Sequence, residues 1–131
     1  GSGIETVAHI RENGRLTVMF CAFNGSPKIL RLYGEGRAVE PSEAQFEVLI
    51  GQFEPIMPVR SIVVLALTRI ADACGYGVPL YDYQGQREQL GKWVASKDEE
   101  ALAEYKEKKN SFSIDGSPGL SSARRHDVLP R

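Results

Sequence analysis

The run RSIVVLALTRI at residues 60–70 constrains the fold more than any other stretch. It is almost continuously apolar, bounded by polar residues, and of strand length, far too short to cross a bilayer as a helix. The pattern predicts a central strand buried on both faces. With 131 residues and 42% hydrophobic content, the chain has apolar surface for one core and not for two.

Around that strand the other elements follow from their spacing. GIETVAHIRENG places Ile4, Val7 and Ile10 at helical intervals and stops at Asn13-Gly14, predicting a helix over about 3–12. RLTVMFCAF, the turn residues NGSPK and ILRLYGEGRAVE read as a β-hairpin, with Ile29, Arg31 and Tyr33 facing one way and Leu30 and Leu32 the other. Gly34 and Gly36 inside that second arm mark a bulge or a close approach of backbone or ligand. Ser42 with Gln45 has the form of a capping box, opening a helix whose apolar face is Phe46, Leu49, Ile50 and Phe53. The prolines at 55 and 58 then interrupt regular structure.

Two further helical stretches carry Leu90, Trp93 and Val94, then Leu102 and Tyr105, with a second capping box at Ser96 and Glu99 between them. Beyond about residue 110 the sequence has no periodicity, and it is expected to lie extended over another surface or to be partly disordered. The order of elements gives an α+β class with mainly antiparallel pairing.

Charge and motifs exclude several functions. Sixteen basic and seventeen acidic side chains nearly cancel, so no global field gathers nucleic acid or an anionic membrane. The N-terminus lacks a basic-then-apolar signal pattern, and the protein reads as soluble and cytoplasmic. Cys21 and Cys74 form no CxxC and have no neighbouring histidine, so neither a metal site nor a disulfide is expected. No Rossmann or P-loop signature opens a helix. His9 and His126 each stand alone, and a solvated or core-edge role is expected for both.

Three features carry chemistry. Arg31, between leucines in a strand, either binds an anion or interface or simply reaches solvent. The helix start at residues 1–6 offers free N–H groups and the positive dipole end, with Ser2 and Thr6 hydroxyls beside them. CGYGVP at 74–79 is either a structural turn, in which Gly75 and Gly77 permit positive φ, or a ligand loop.

Taken together, GSGIETVAHIRENGRLTVMFCAF, PKILRLYGEGRAVE, RIADACGYGVPLYDY and KNSFSIDGSPGL resemble the pyridoxamine 5'-phosphate oxidase-like family of FMN-binding split β-barrels. The resemblance runs to about residue 120, which sets a domain over 1–120 and a flexible or extended tail over 121–131. It implies a homodimer of six-stranded split barrels with FMN at the subunit interface. It places the FMN phosphate at the turn of Ser2, Gly3 and Thr6, with arginines of adjacent strands, Arg31 among them, assisting, and it puts Tyr76 at the border of the flavin pocket. Members of this branch carry further strands ahead of that turn, so the barrel is expected to be incomplete here.

Glu5 and Thr6 stand where the vitamin B6 phosphate oxidases have basic residues, and the C-terminal tryptophan-and-arginine segment of those enzymes has no counterpart. The resemblance therefore implies an FMN-dependent oxidoreductase acting on an unassigned small-molecule substrate. The alternative is a non-catalytic dimeric split-barrel module without flavin. Haem, held by some related barrels, lacks a suitable histidine here.

Overall fold

The computed structural model describes residues 2–54 and 58–124. Helix α1 (Glu5–Asn13) leads into strand β1 (Arg15–Cys21), followed by β2 (Ile29–Val39), helix α2 (Ala44–Ile50) and β3 (Ile62–Ala73). Helices α3 (Gln89–Ala95) and α4 (Glu99–Asn110) and a 3-10 turn at Ser121–Ala123 complete the described chain. The class is α+β, as the sequence indicates. The strands form one open antiparallel sheet in the order β1-β2-β3.

Pairing fixes which side chains share a face. Thr17, Tyr33 and Arg69 align across the strands, as do Met19, Arg31 and Ala71, so these six lie on one face. Leu16, Leu32, Gly34, Leu67 and Ile70 alternate onto the other. The register to β3 slips between Tyr33 and Gly34, where a bulge stands. A Cβ at Gly34 would lie 2.0 Å from the Ala66 carbonyl oxygen, so glycine is required by the close backbone approach.

Both helices that cover the sheet sit at its Val39/Ile62 end. On one face Ile4 and Val7 of α1 pack against Ala38, Leu120 and Ala123. On the other, Phe46 of α2 packs against Val39 and Ile62, with Leu49 and Ile50 beside them. Helix α1 ends as its sequence indicates: Gly14 adopts φ 69° and its N–H donates to the Ile10 carbonyl at 2.8 Å.

Several expectations are corrected. The run at 60–70 forms an edge strand rather than a central one, and β2 takes the middle. It is not buried on both faces: Ile62 is buried, but Val63, Leu67 and Ile70 are 41%, 50% and 62% exposed. Apolar residues occupy both faces of β3, and cover reaches only its first residues. Neither expected capping box forms. The Glu43 carboxylate accepts from the Glu40 N–H, and Gln45 accepts from Arg37 instead of capping α2. At α4 the cap is Asp98, which accepts from the Ala101 N–H at 2.8 Å, while Ser96 donates to the Trp93 carbonyl. Phe53, expected on the apolar face of α2, is 54% exposed because the helix stops at Ile50.

The aperiodic segment after α4 folds back onto α1. Leu120 N–H donates to the Asn110 carbonyl and Gly119 N–H to the Ser111 carbonyl, which seats Leu120 with no exposed surface. The Glu40 carboxylate, 2% exposed at the end of β2, holds this segment. It accepts from the N–H groups of Ser121 at 2.7 Å and Ser122 at 3.0 Å, from the Ser122 hydroxyl at 2.7 Å, and from Arg11 of α1. Burial by itself would raise its pKa. The Ser122 and Ser121 N–H groups, the Ser122 hydroxyl and Arg11 outweigh that and pull it from 4.5 down to about 2. Pro55 and His126 lie outside the described residues.

Because the folded-state pKa is depressed, the stabilisation from Glu40 is complete above about pH 4.5 and is lost as pH falls towards 2. Glu40→Gln is expected to lower the unfolding free energy at pH 7 by roughly 3 kcal/mol, the size such a shift implies. Urea titrations at pH 7 and pH 3 check this, the gap to wild type narrowing at pH 3. Gly34→Ala is expected to cost more than about 2 kcal/mol through overpacking, whereas Gly77→Ala, with open space at its Cβ, should stay within about 0.5 kcal/mol. Thermal denaturation of the two variants separates them.

Candidate functional site

Beyond the end covered by α1 and α2, the sheet offers two bare faces of opposite character. One is apolar, with Phe20, Leu67 and Ile70 at 55%, 50% and 62% exposed. The other carries Thr17, Arg31, Tyr33 and Arg69. The Arg69 guanidinium lies 5.9 Å from the centre of the Tyr33 ring, which holds it over the sheet. Arg31, half-buried, is a diagonal neighbour of Arg69, and such residues stand roughly 7–8 Å apart across an antiparallel pair. Among the described residues neither arginine makes an ion pair. Two planar cations carried on one face are side chains of the kind that bind a bidentate anion.

A groove of about 590 Å³ opens between the C-terminal half of α1 and the bulge, lined by His9, Asn13, Leu16, Tyr33, Gly34 and Thr68. The Thr68 hydroxyl donates to the Tyr33 carbonyl at 3.4 Å. At its rim His9 Nε2 meets Asp115 at 3.2 Å, and the Ser113 hydroxyl also donates to Asp115. The Ser113 hydroxyl and His9 hold the Asp115 carboxyl below its usual range.

The start of α1 has a different occupant from the one its sequence suggests. The Glu5 side chain turns back and accepts the Ile4 N–H at 2.8 Å, and its other oxygen accepts the Ile114 N–H at 3.3 Å. Bonds from its own N–H, from Ile4 and from Ile114, together with the charge of His9, lower the Glu5 pKa. Ser2 and Gly3 are tied through their carbonyls, the first to the Asn110 amide at 3.3 Å and the second to Arg60. Thr6 is exposed.

The chain is 36% identical to the pyridoxamine 5'-phosphate oxidase family protein ustO of Aspergillus flavus over an alignment of 140 residues covering 95% of this chain. The chain belongs to the pyridoxamine 5'-phosphate oxidase family. It spans about half, 56%, of the length of that curated relative. No protein-family model matches the chain, and no solved structure matches it.

Within this family member, the five residues singled out from the sequence do not converge in one chain. Ser2, Gly3 and Thr6 sit at the covered end, where Ile4 meets Ala38. Arg31 is seven residues of strand away from Ala38, roughly 23 Å. Tyr76 lies in the turn beyond β3 and is 82% exposed. That turn relies on one of its two glycines: Gly75 has φ 67°, Val78 N–H donates to its carbonyl at 2.9 Å, and a Cβ there would lie 2.6 Å from Lys28 N, whereas Gly77 has no positive φ and open space at its Cβ.

A phosphate does not fit the α1 start, because the Glu5 carboxylate already takes the Ile4 N–H and places a negative charge there. Arg31 and Arg69 offer cationic donors on the sheet instead. Arg69 was not singled out from the sequence, although LTRI repeats the signal of RLYG, an arginine among apolar strand residues. Its partnership with Arg31 needs the cross-strand register. Inorganic phosphate is expected to perturb the side-chain NMR signals of Arg31 and Arg69 saturably, and to leave the backbone amides of Gly3 to Glu5 unmoved.

Proposed function

We propose that the chain forms the greater part of an FMN-dependent oxidoreductase acting on a small organic substrate. The observation that carries this reading is the family relationship, 36% identity over 95% of the chain. The arginine pair supports it: Arg31 and Arg69 would hold the phosphate of the cofactor, with Tyr33 fixing Arg69 in place. When bound, FMN supplies the redox chemistry, and the protein's part is to grip, orient and shield. The open groove at the bulge, bounded by His9 and Thr68, gives a substrate room beside the sheet.

A split-barrel architecture and a homodimer belong to the same proposal. Three antiparallel strands with open edges are compatible with part of such a barrel, and bare strand edges and the apolar patch of Phe20, Leu67 and Ile70 favour pairing with a second copy. A dimer would also let the turn at Tyr76 of one copy approach a flavin held by the other. The position of Glu5 favours a second reading, a dimeric module without flavin, since the helix start assigned to phosphate by family resemblance holds a carboxylate.

Titration with FMN, followed by quenching of flavin fluorescence, distinguishes the two. The first reading expects saturable one-to-one binding, weakened at least tenfold in Arg31→Met and in Arg69→Met. Failure of the wild-type chain to bind FMN, with a dimer in sedimentation, supports the second. A monomer in sedimentation overturns the dimer in both.

A further inference from the structure

Away from both sheet faces, α3, α4 and the segment entering β3 enclose a cavity of about 210 Å³, partly open to solvent. Its walls are apolar and aromatic, formed chiefly by Leu90, Trp93, Leu102 and Tyr105. The Trp93 and Tyr105 rings meet edge to face, 4.8 Å apart at 62°. Such a pair presents both a ring edge and a ring face to a third aromatic group. Two cations, Arg60 and Lys106, join the lining together with Pro58, Val94 and the buried Asn110, and no acidic side chain takes part among the described residues. Arg60 is held in position by its bond to the Gly3 carbonyl. Lys106 is half-buried and makes no ion pair among the described residues.

A half-buried ammonium against aromatic walls is favoured by an anion that comes with its own apolar body. Size agrees, since an apolar cavity of about 150 Å³ accepts benzene. The additional space accommodates a substituent on the ring.

We propose that this cavity binds a small aromatic carboxylate, the ring lodged against Trp93, Tyr105 and Leu102 and the carboxylate facing Lys106 and Arg60. The site is independent of the flavin reading, because it shares no residue with the Arg31 and Arg69 face.

The chain contains one tryptophan, Trp93, so its fluorescence reports on this cavity alone. Benzoate is expected to change that emission saturably and to bind at least tenfold more tightly than neutral benzyl alcohol. Lys106→Met is expected to remove the preference while leaving the far-ultraviolet circular dichroism unchanged. Linear, non-saturating quenching, equal affinities for the two probes, or unchanged benzoate affinity in Lys106→Met would each overturn the proposal. Calorimetric titration of benzoate into protein pre-mixed with FMN is expected to give the same affinity as without it. Displacement by FMN would make the cavity part of a flavin site and overturn a separate one.

Discussion

The Glu40 carboxylate organises the covered end of the molecule. It stands where β2 leaves the sheet, and its oxygens are filled by groups from α1 and from the chain beyond α4. Two backbone N–H groups, a hydroxyl and a guanidinium compensate the cost of burying the charge, and together they hold it ionised. Removing the carboxylate would leave the Ser121 and Ser122 N–H groups without their acceptors beside the apolar cluster of Ile4, Val7 and Leu120. The apolar packing and the polar clamp therefore depend on each other: Leu120 is seated because Ser121 and Ser122 are held, and Arg11 is aligned because α1 packs on Ala38.

The clamp fixes one end of the sheet and leaves the other bare. Cover by α1 and α2 ends within the first residues of β3, so the rest of the sheet exposes an apolar face and a cationic one. A strand as apolar as β3 is unfavourable in water on both sides, which is why a second copy or further chain belongs in the functional proposal. The cationic face owes its character to alternation: the same period of two that turns Leu32 and Ile70 to one side turns Arg31 and Arg69 to the other.

Much of the fold was legible in local sequence. Ile4, Val7 and Ile10 gave α1 and its buried face, Asn13-Gly14 gave its end, and β-branched runs about NGSPK gave the hairpin. Gly34 announced the bulge because a strand glycine so often marks a close backbone approach. The capping boxes misled because Gln45 is drawn to Arg37 and the Glu43 carboxylate to the Glu40 N–H, leaving α2 without a side-chain cap, and because Asp98 takes the capping role at α4. Position in the sheet was misread for β3 because apolar periodicity reports what a strand can bury, not whether a neighbour is present to bury it.

The sequence by itself determined the elements, the family and the kind of side chain that would bind an anion, since each depends on residues close together in the chain. Tertiary structure decided which of those side chains meet. Arg31 and Arg69 are separated by α2 and a loop, and only the β2–β3 register puts them on one face. Glu5, four positions after Gly1, looked like an unfavourable neighbour of an anion site; only its rotation onto the Ile4 N–H, with Ile114 arriving from the far end of the chain, makes it the occupant of that site. Long-range hydrogen bonds and register are properties of the closed chain, because they select among partners that local spacing leaves equivalent.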